Sequence, residues 1–323
     1  MVRIARTLAA LSDGTAVIVA AACLTAALGG QGGRFNARLD VLTHFAPFWL
    51  FGAILATGYA LVFASPSLRW ALAGLGVAGA LAAAALILPE LTRPISRVVD
   101  ASAPRQIKLI QFNAWDENAQ VGATADWIAA QKPDLVMMQE VESPIRQAMI
   151  QRGFHYVRGM ARAAIFSRAT PTYAPFQVPM MDWALLPSFA RATFQGPDGP
   201  FSVVAVHLEW PTHRGQKRQM ATLAEVLDRY PTDRLILTGD FNLTPWSFAL
   251  RRLDDRLGME RRDRALFSWP ARLSSKTPLS WPLAALPIDH VYAGRAWRTV
   301  SIERGPRLGS DHYPLVVKLA LVD

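Results

Sequence analysis

The sequence predicts an α/β domain preceded by about three transmembrane α-helices. Three observations carry this reading. Composition changes near Pro104: residues 1–103 are rich in Ala, Leu, Gly and Val, with 7 basic and 4 acidic side chains, whereas residues 104–323 hold the other 27 basic and 21 acidic ones. The first part contains three long apolar runs. The second alternates short apolar strands with helical periodicity, and its strands end in polar residues. A chain of 323 residues is long enough for one large domain or two ordinary ones.

The apolar runs span about residues 14–30, 41–63 and 70–89. The second and third reach the roughly 20 residues needed to cross a hydrocarbon core. Asp13 interrupts the start of the first. Arg3 and Arg6 also fit the basic start of a cleaved signal peptide, but two further spans close behind favour a retained helix. Residues 1–88 therefore read as a helical anchor of an integral inner-membrane protein, with the lipid bilayer as its partner. Residues 89–104, with charges and Pro94, read as a linker to a domain over 105–323. Arg3 and Arg6 favour a cytoplasmic N-terminus, which three spans convert to a non-cytoplasmic domain; Arg34, Arg38, Arg93 and Arg97 count the other way. Gly29–Gly33 reads as a flexible turn between spans, because no strand precedes it and no Gly-Lys-Ser/Thr follows. His44 reads as a packed or interface-seeking histidine. The single cysteine, Cys23, permits no internal disulfide.

In the second part, Ile107–Asn113 reads as a strand and Thr124–Gln131 as a helix with Thr124 as N-cap. Asp134–Glu140 is a buried strand; Ala163–Ser167 and Ala190–Gln195 are short ones. Phe201–His207 is a strand, followed by a helix over Gly215–Tyr230 with Met220, Leu223, Val226 and Leu227 at helical spacing. Arg234–Asp240, Ile288–Tyr292 and Tyr313–Leu319 complete the pattern. The charge-dense stretch Arg251–Arg264 reads as a solvated helix and turn, with an anionic-substrate rim as the alternative. Phe267–Pro287, which contains Trp269 and Trp281, reads as a loop.

The strands terminate in Asn113, Glu140, His207, Asp240, Asn242, Asp289, Asp311 and His312. Ligands of α/β folds bind at strand ends, so these residues are expected to line one edge. His155 and His213 read as ordinary surface residues, and His290 as structural because a regular strand turns it away from Asp289. The second part carries a net charge of +6 (27 − 21), and Arg outnumbers Lys 29 to 5 in the whole chain. The Arg excess reads first as codon usage and second as phosphate recognition. The positive balance suits a polyanionic substrate or an anionic membrane surface.

Taken in order, Gln111-Phe-Asn-Ala-Trp115, Gln139-Glu140, Val206-His207-Leu208, Gly239-Asp-Phe-Asn242, Ile288-Asp-His-Val291 and Gly309-Ser-Asp-His312 resemble the endonuclease/exonuclease/phosphatase superfamily, over essentially all of residues 104–323. The resemblance implies a four-layered α/β sandwich, two mixed β-sheets flanked by helices. It implies a Mg²⁺-dependent phosphoesterase, with Mn²⁺ as substitute, that hydrolyses phosphodiester or phosphomonoester bonds by in-line attack of water. By the same resemblance Glu140, Asn113 and Asp311 lie at the metal, His312 is the base on water and Asp289 its orienting carboxylate. Asp240 then holds or polarises the water, Asn242 donates to a phosphoryl oxygen, and His207 protonates the leaving group or binds the phosphate.

The chemistry demands these types. A phosphodiester is anionic and resists attack, so its hydrolysis needs a cation, a base and help for the leaving oxygen. Glu140 is a hard oxygen ligand suited to Mg²⁺, and an Asp–His pair fixes a tautomer and stabilises the imidazolium. Substrate is open between nucleic acid, as for an endo- or exonuclease acting on DNA or RNA, and a lipid headgroup, as for a phospholipid or sphingolipid phosphodiesterase. A non-catalytic binding module on the same fold is the alternative from another class. No protein partner is inferred.

Overall fold

The computed structural model describes residues 2–172, 186–196, 198–272 and 284–322. Trp281 lies outside them. The chain divides into two units: Met1–Arg93 with Thr244–Arg251, and Pro94–Leu243 with Arg252–Asp323.

The first unit contains α1 (Val2–Gln31), the short α2 (Ala37–Asp40), α3 (Ala46–Val62) and α4 (Arg69–Thr92). Three segments are long and apolar enough to cross a membrane: Ala10–Arg34, Ala37–Val62 and Arg69–Thr92. Their contacts use small side chains, among them Ala20, Ala53, Ala60 and Ala83, which let backbones approach closely. Large apolar side chains such as Ile18, Phe51, Leu55 and Leu81 are exposed instead. Asp13 does not interrupt α1: its carboxylate accepts from the Tyr59 hydroxyl at 2.9 Å, so the charge is met inside the bundle. Nor is Gly29–Gly33 a flexible turn. Helix α1 runs through Gln31 and a 3₁₀ turn follows at Gly32–Arg34. A Cβ on Gly33 would lie 2.7 Å from the Asp40 Cα, so that approach requires glycine.

In the second unit the element order is β1 (Gln106–Asn113), α5 (Val121–Ala130), β2 (Leu135–Gln139), α6 (Ser143–Gln151), β3 (His155–Arg158), β4 (Ala164–Ser167), β5 (Ser188–Gly196), β6 (Gly199–His207), α7 (Gln216–Leu227) and β7 (Leu235–Asp240). Then come α8 (Phe248–Leu257, which begins in the first unit), β8 (Glu260–Arg261), β9 (Asp289–Ala293), β10 (Trp297–Arg304) and β11 (Leu315–Leu321). Among the described residues one sheet has the order β10-β11-β1-β2-β4-β3 and the other β5-β6-β7-β9-β8. Both mix parallel and antiparallel pairs.

Period-two alternation builds the layers. On β1, Leu109 joins a core with Val203, Ala205 and Ile236 of the other sheet, whereas Ile110 and Phe112 pack on the opposite face with Ile128 and Met149 of the helices. Gln111 and Asn113 share the parity of Leu109. Thr124 is not an N-cap: α5 begins three residues earlier, and the Thr124 hydroxyl donates to Leu308 O at 2.6 Å. Helix α6, with Pro144 in its first turn, and β10 were not apparent in the sequence, because polar residues dilute the apolar period of both.

The charge-dense stretch also departs from expectation. Arg261, Arg262 and Asp263 are buried. Arg261 pairs with Asp254 at 3.0 Å, whose Oδ1 accepts from the Tyr292 hydroxyl at 2.6 Å. Asp263 meets His290 Nδ1 at 2.7 Å and accepts from Val291 N at 2.8 Å, and His290 Nε2 donates to Leu243 O at 2.7 Å. Burial opposes the charge on Asp263, but His290 and then Arg261 outweigh it and hold its pKa at about 2. Asp263→Ala leaves His290 Nδ1 and Val291 N without their buried partner and strips Arg261 of one of its two carboxylates, and is expected to cost about 3–5 kcal/mol in urea unfolding; a loss below about 1 kcal/mol would show the network to be ornamental. Because the folded pKa lies below the ordinary value of 3.8, this stabilisation is complete above about pH 4 and falls away as the pH drops towards 2.

Candidate active site

Register gathers the strand-end residues. Parallel β1 and β2 bring Asn113 beside Gln139, and parallel β6 and β7 bring His207 beside Asp240. Antiparallel β9 starts at Asp289, directly opposite Asp240. Gly239 permits the β6–β7 pairing, since a Cβ there would lie 1.9 Å from Val206 O. Just past the strand ends, Glu140 and Asn242 adopt left-handed backbone conformations, with φ of 53° and 52°. Such conformations cost energy for residues with a side chain and persist where surrounding contacts fix them.

These contacts form a chain. Asn113 Nδ2 donates to Glu140 Oε1 at 3.0 Å and to Asp240 Oδ2 at 3.1 Å. Asp240 Oδ2 lies 3.5 Å from both His207 Nε2 and His312 Nε2. His312 Nδ1 meets Asp289 Oδ2 at 2.8 Å. Asn242 Nδ2 donates to Leu208 O at 2.8 Å and has a 3.4 Å contact with His207 Nε2. Asp311 Oδ2 accepts from the Trp269 indole at 3.0 Å. Seven of the eight expected residues are thus linked through hydrogen bonds or ion-pair contacts, and Asp311 adjoins His312 in sequence.

Some residues that hold this arrangement carried no role in the sequence reading. Gln111 Nε2 donates to Asp289 Oδ1 at 2.7 Å and to Gln139 Oε1 at 2.8 Å. Ser310 Oγ donates to Asn113 O at 2.7 Å and accepts from His312 N at 3.0 Å, which ties the last turn to the end of β1. The available signal was Gln111, set between Ile110 and Phe112, and Gln139, at the end of the apolar β2. His155 lies on β3, at one edge of its sheet, and His213 is exposed beside Glu209. His290 is buried in the structural network described above.

Electrostatics follow from burial of several acids together. Burial raises the Asp240 pKa to about 6, with Asp289 adding and both histidines opposing. Burial would also raise Asp289, but His312 outweighs it and holds that carboxyl below its ordinary range. His312 is pushed up to about 10: burial disfavours the imidazolium, yet Asp289, Asp240 and Asp311 more than compensate. Burial raises Asp311, and the charge on Glu140 adds to it.

The site has the chemistry of a hard-cation centre. Asp311 Oδ1 is buried with no hydrogen-bond partner among the described residues, and repulsion between Asp311 and Glu140 is the kind a cation relieves. Ligand atoms of Asp240, Asp289 and His312 also lie within 4.8 Å of one another. There, however, Asp289 Oδ2 and His312 Nδ1 already satisfy each other, so the oxygens around Glu140 fit a cation better.

Two mixed sheets with carboxylates, histidines and asparagines converging at one edge define an α/β-sandwich hydrolase of phosphoester bonds. The sequence pattern described as the Endonuclease/Exonuclease/phosphatase family matches residues 110–312, and the chain belongs to that family. No curated protein matches it in sequence. Solved structures share the fold. An endonuclease/exonuclease/phosphatase from Beutenbergia cavernae aligns with a TM-score of 0.52 at 19% identity, covering 68% of this chain and 72% of that one. A mannosyl-6-phosphatase from Bacteroides thetaiotaomicron aligns at 0.53 and 16%, covering 67% and 100%. D. rerio TDP2, complexed with a single-strand DNA product, aligns at 0.51 and 14%, covering 66% and 98%.

Proposed function

We propose that this chain is a membrane-anchored, Mg²⁺-dependent phosphoesterase that cleaves a phosphodiester, or a phosphomonoester, at a membrane surface. The continuous set Glu140–Asn113–Asp240–His312–Asp289 carries the reading. Glu140 and Asp311 would hold Mg²⁺, with Mn²⁺ as substitute; Asn113, expected beside the metal, instead turns its Nδ2 to Glu140 Oε1 while its Oδ1 accepts from Trp115 N, and so would orient Glu140. When bound, the ion offsets phosphoryl charge and part of the acidic field that keeps His312 protonated. Asp289 Oδ2 accepts a hydrogen bond from His312 Nδ1 and so leaves Nε2 on the side of Asp240. Asp240 orients the attacking water. His312 accepts its proton as the new P–O bond forms in line with the leaving oxygen. Asn242 donates to a phosphoryl oxygen as charge builds; as the bond from phosphorus to the leaving oxygen breaks, His207, acting as the acid, gives that oxygen a proton, and the proton taken up by His312 balances it.

The three apolar spans favour a substrate presented by the bilayer. Relatives of the same fold include a mannosyl-6-phosphatase and a protein bound to a DNA product, so the test uses a panel. Purified full chain with Mg²⁺ is given DNA, RNA, phospholipid vesicles and phosphoinositides. Turnover of a lipid-borne phosphoester is expected. Cleavage confined to DNA or RNA would replace the lipid reading with a nuclease, and no turnover of any would leave a binding module.

A further inference from the structure

Buried polar groups in an apolar bundle are costly unless they have partners. The first unit buries Asp40 and His44, at 3% and 4% exposure. Their partners lie some 200 residues away, in the segment Thr244–Arg251 of the same unit. Asp40 Oδ1 accepts from Phe248 N at 2.9 Å and Oδ2 from Ala249 N at 2.8 Å. One carboxylate thus caps the first turn of α8, where helix N–H groups lack partners of their own and a negative charge is favoured. His44 Nδ1 accepts from Thr244 N at 3.2 Å and contacts Thr244 Oγ1 at 3.0 Å, while His44 O accepts from the Trp246 indole at 3.1 Å. Thr244, Trp246 and Ser247 are buried. Close packing of Gly33 on Asp40 leaves that carboxylate little room to shift.

The segment so held begins two residues after Asn242, whose left-handed φ of 52° needs support from outside itself. On the near side His290 fixes Leu243 O. On the far side Asp40 and His44 fix the chain from Thr244 onward. We infer that Asp40 and His44 are positioning residues for the hydrolysis, setting the path of the chain that leaves Asn242. The apolar unit is then a working part of the enzyme rather than only a tether. The inference rests on the phosphoesterase reading for its effect on rate, but not for its effect on structure.

The test uses full-length protein in detergent micelles, with Asp40→Ala, Asp40→Asn, His44→Leu and Asp13→Asn as the control that disturbs the bundle elsewhere. Amide hydrogen exchange over residues 238–251 is measured beside kcat and KM for a phosphoester that the wild type turns over. Asp40→Ala and His44→Leu are expected to speed exchange at 244–251 and at the Asn242 amide. They are expected to lower kcat about 10-fold or more with KM within about 2-fold, as misplacement of a catalytic group does. Asp40→Asn, which keeps one acceptor oxygen, should fall between them and wild type, and Asp13→Asn should change neither readout. Faster exchange at 244–251 with kcat near wild type, or with Asn242 still protected, would overturn the inference. If the wild type turns over no phosphoester, the phosphoesterase reading fails, and the Asn242 amide in Asp40→Ala alone decides whether the two residues position that chain.

Discussion

His312→Ala is expected to lower turnover about 10²–10⁴-fold, the worth of a general acid–base step, while Mg²⁺ affinity stays near wild type. The imidazole is buried between Asp289 at 2.8 Å and Asp240 at 3.5 Å. Removing it takes away the proposed proton acceptor and leaves the carboxylates of Glu140 and Asp311 in place. Asp289→Asn should resemble it, because an amide cannot stabilise the protonated ring. Gln111 donates to the other Asp289 oxygen, so the asparagine side chain would still be held near its native position. The comparison therefore isolates charge from placement. The check is single-turnover rate at saturating Mg²⁺ beside Mg²⁺ binding by calorimetry. Loss of metal affinity in His312→Ala would move the ion to the Asp240–Asp289–His312 group, which is compact enough to hold one.

Glu140→Gln should act in the opposite sense. It removes one ligand charge without changing shape, so half-saturation should shift to Mg²⁺ concentrations about 10-fold higher or more, with most of the rate recovered at saturation. The amide can still meet Asn113, which now donates 3.0 Å to Glu140 Oε1, so the strand end should keep its conformation. A Mg²⁺ titration of steady-state rate measures this. Wild-type metal dependence in Glu140→Gln would remove Glu140 from the metal site.

Asn113, Glu140, His207 and Asp240 were legible because each is a local signal, an apolar run and then one chemically capable residue; the expectation that Asp289, Asp311 and His312 also end strands is corrected, since Asp289 opens β9 and Asp311 and His312 precede β11. Parallel pairing of β1 with β2 and of β6 with β7 then places those ends on one edge. The groups that hold them in place were not legible. Gln111 and Asp289 are 178 positions apart, and a lone glutamine in a strand carries no sign of its partner. Arg261 to Asp263 read as solvated charge because only the tertiary structure supplies Asp254, His290 and Tyr292 as neighbours. His44 was expected to pack or to seek the interface; it is packed, but its partner Thr244 lies 200 positions downstream. Local period reveals elements and their ends, whereas satisfaction of buried polar groups is a property of the fold.

On the proposed mechanism this cluster hydrolyses phosphoesters with the help of a divalent cation. The direct measurement is turnover of a chromogenic phosphodiester by the purified full chain after exhaustive chelation, followed by Mg²⁺ add-back. The expected result is that chelation abolishes turnover and millimolar Mg²⁺ restores it in wild type, with His312→Ala remaining inactive throughout. Undiminished turnover in chelator, or equal turnover by His312→Ala, would contradict the account.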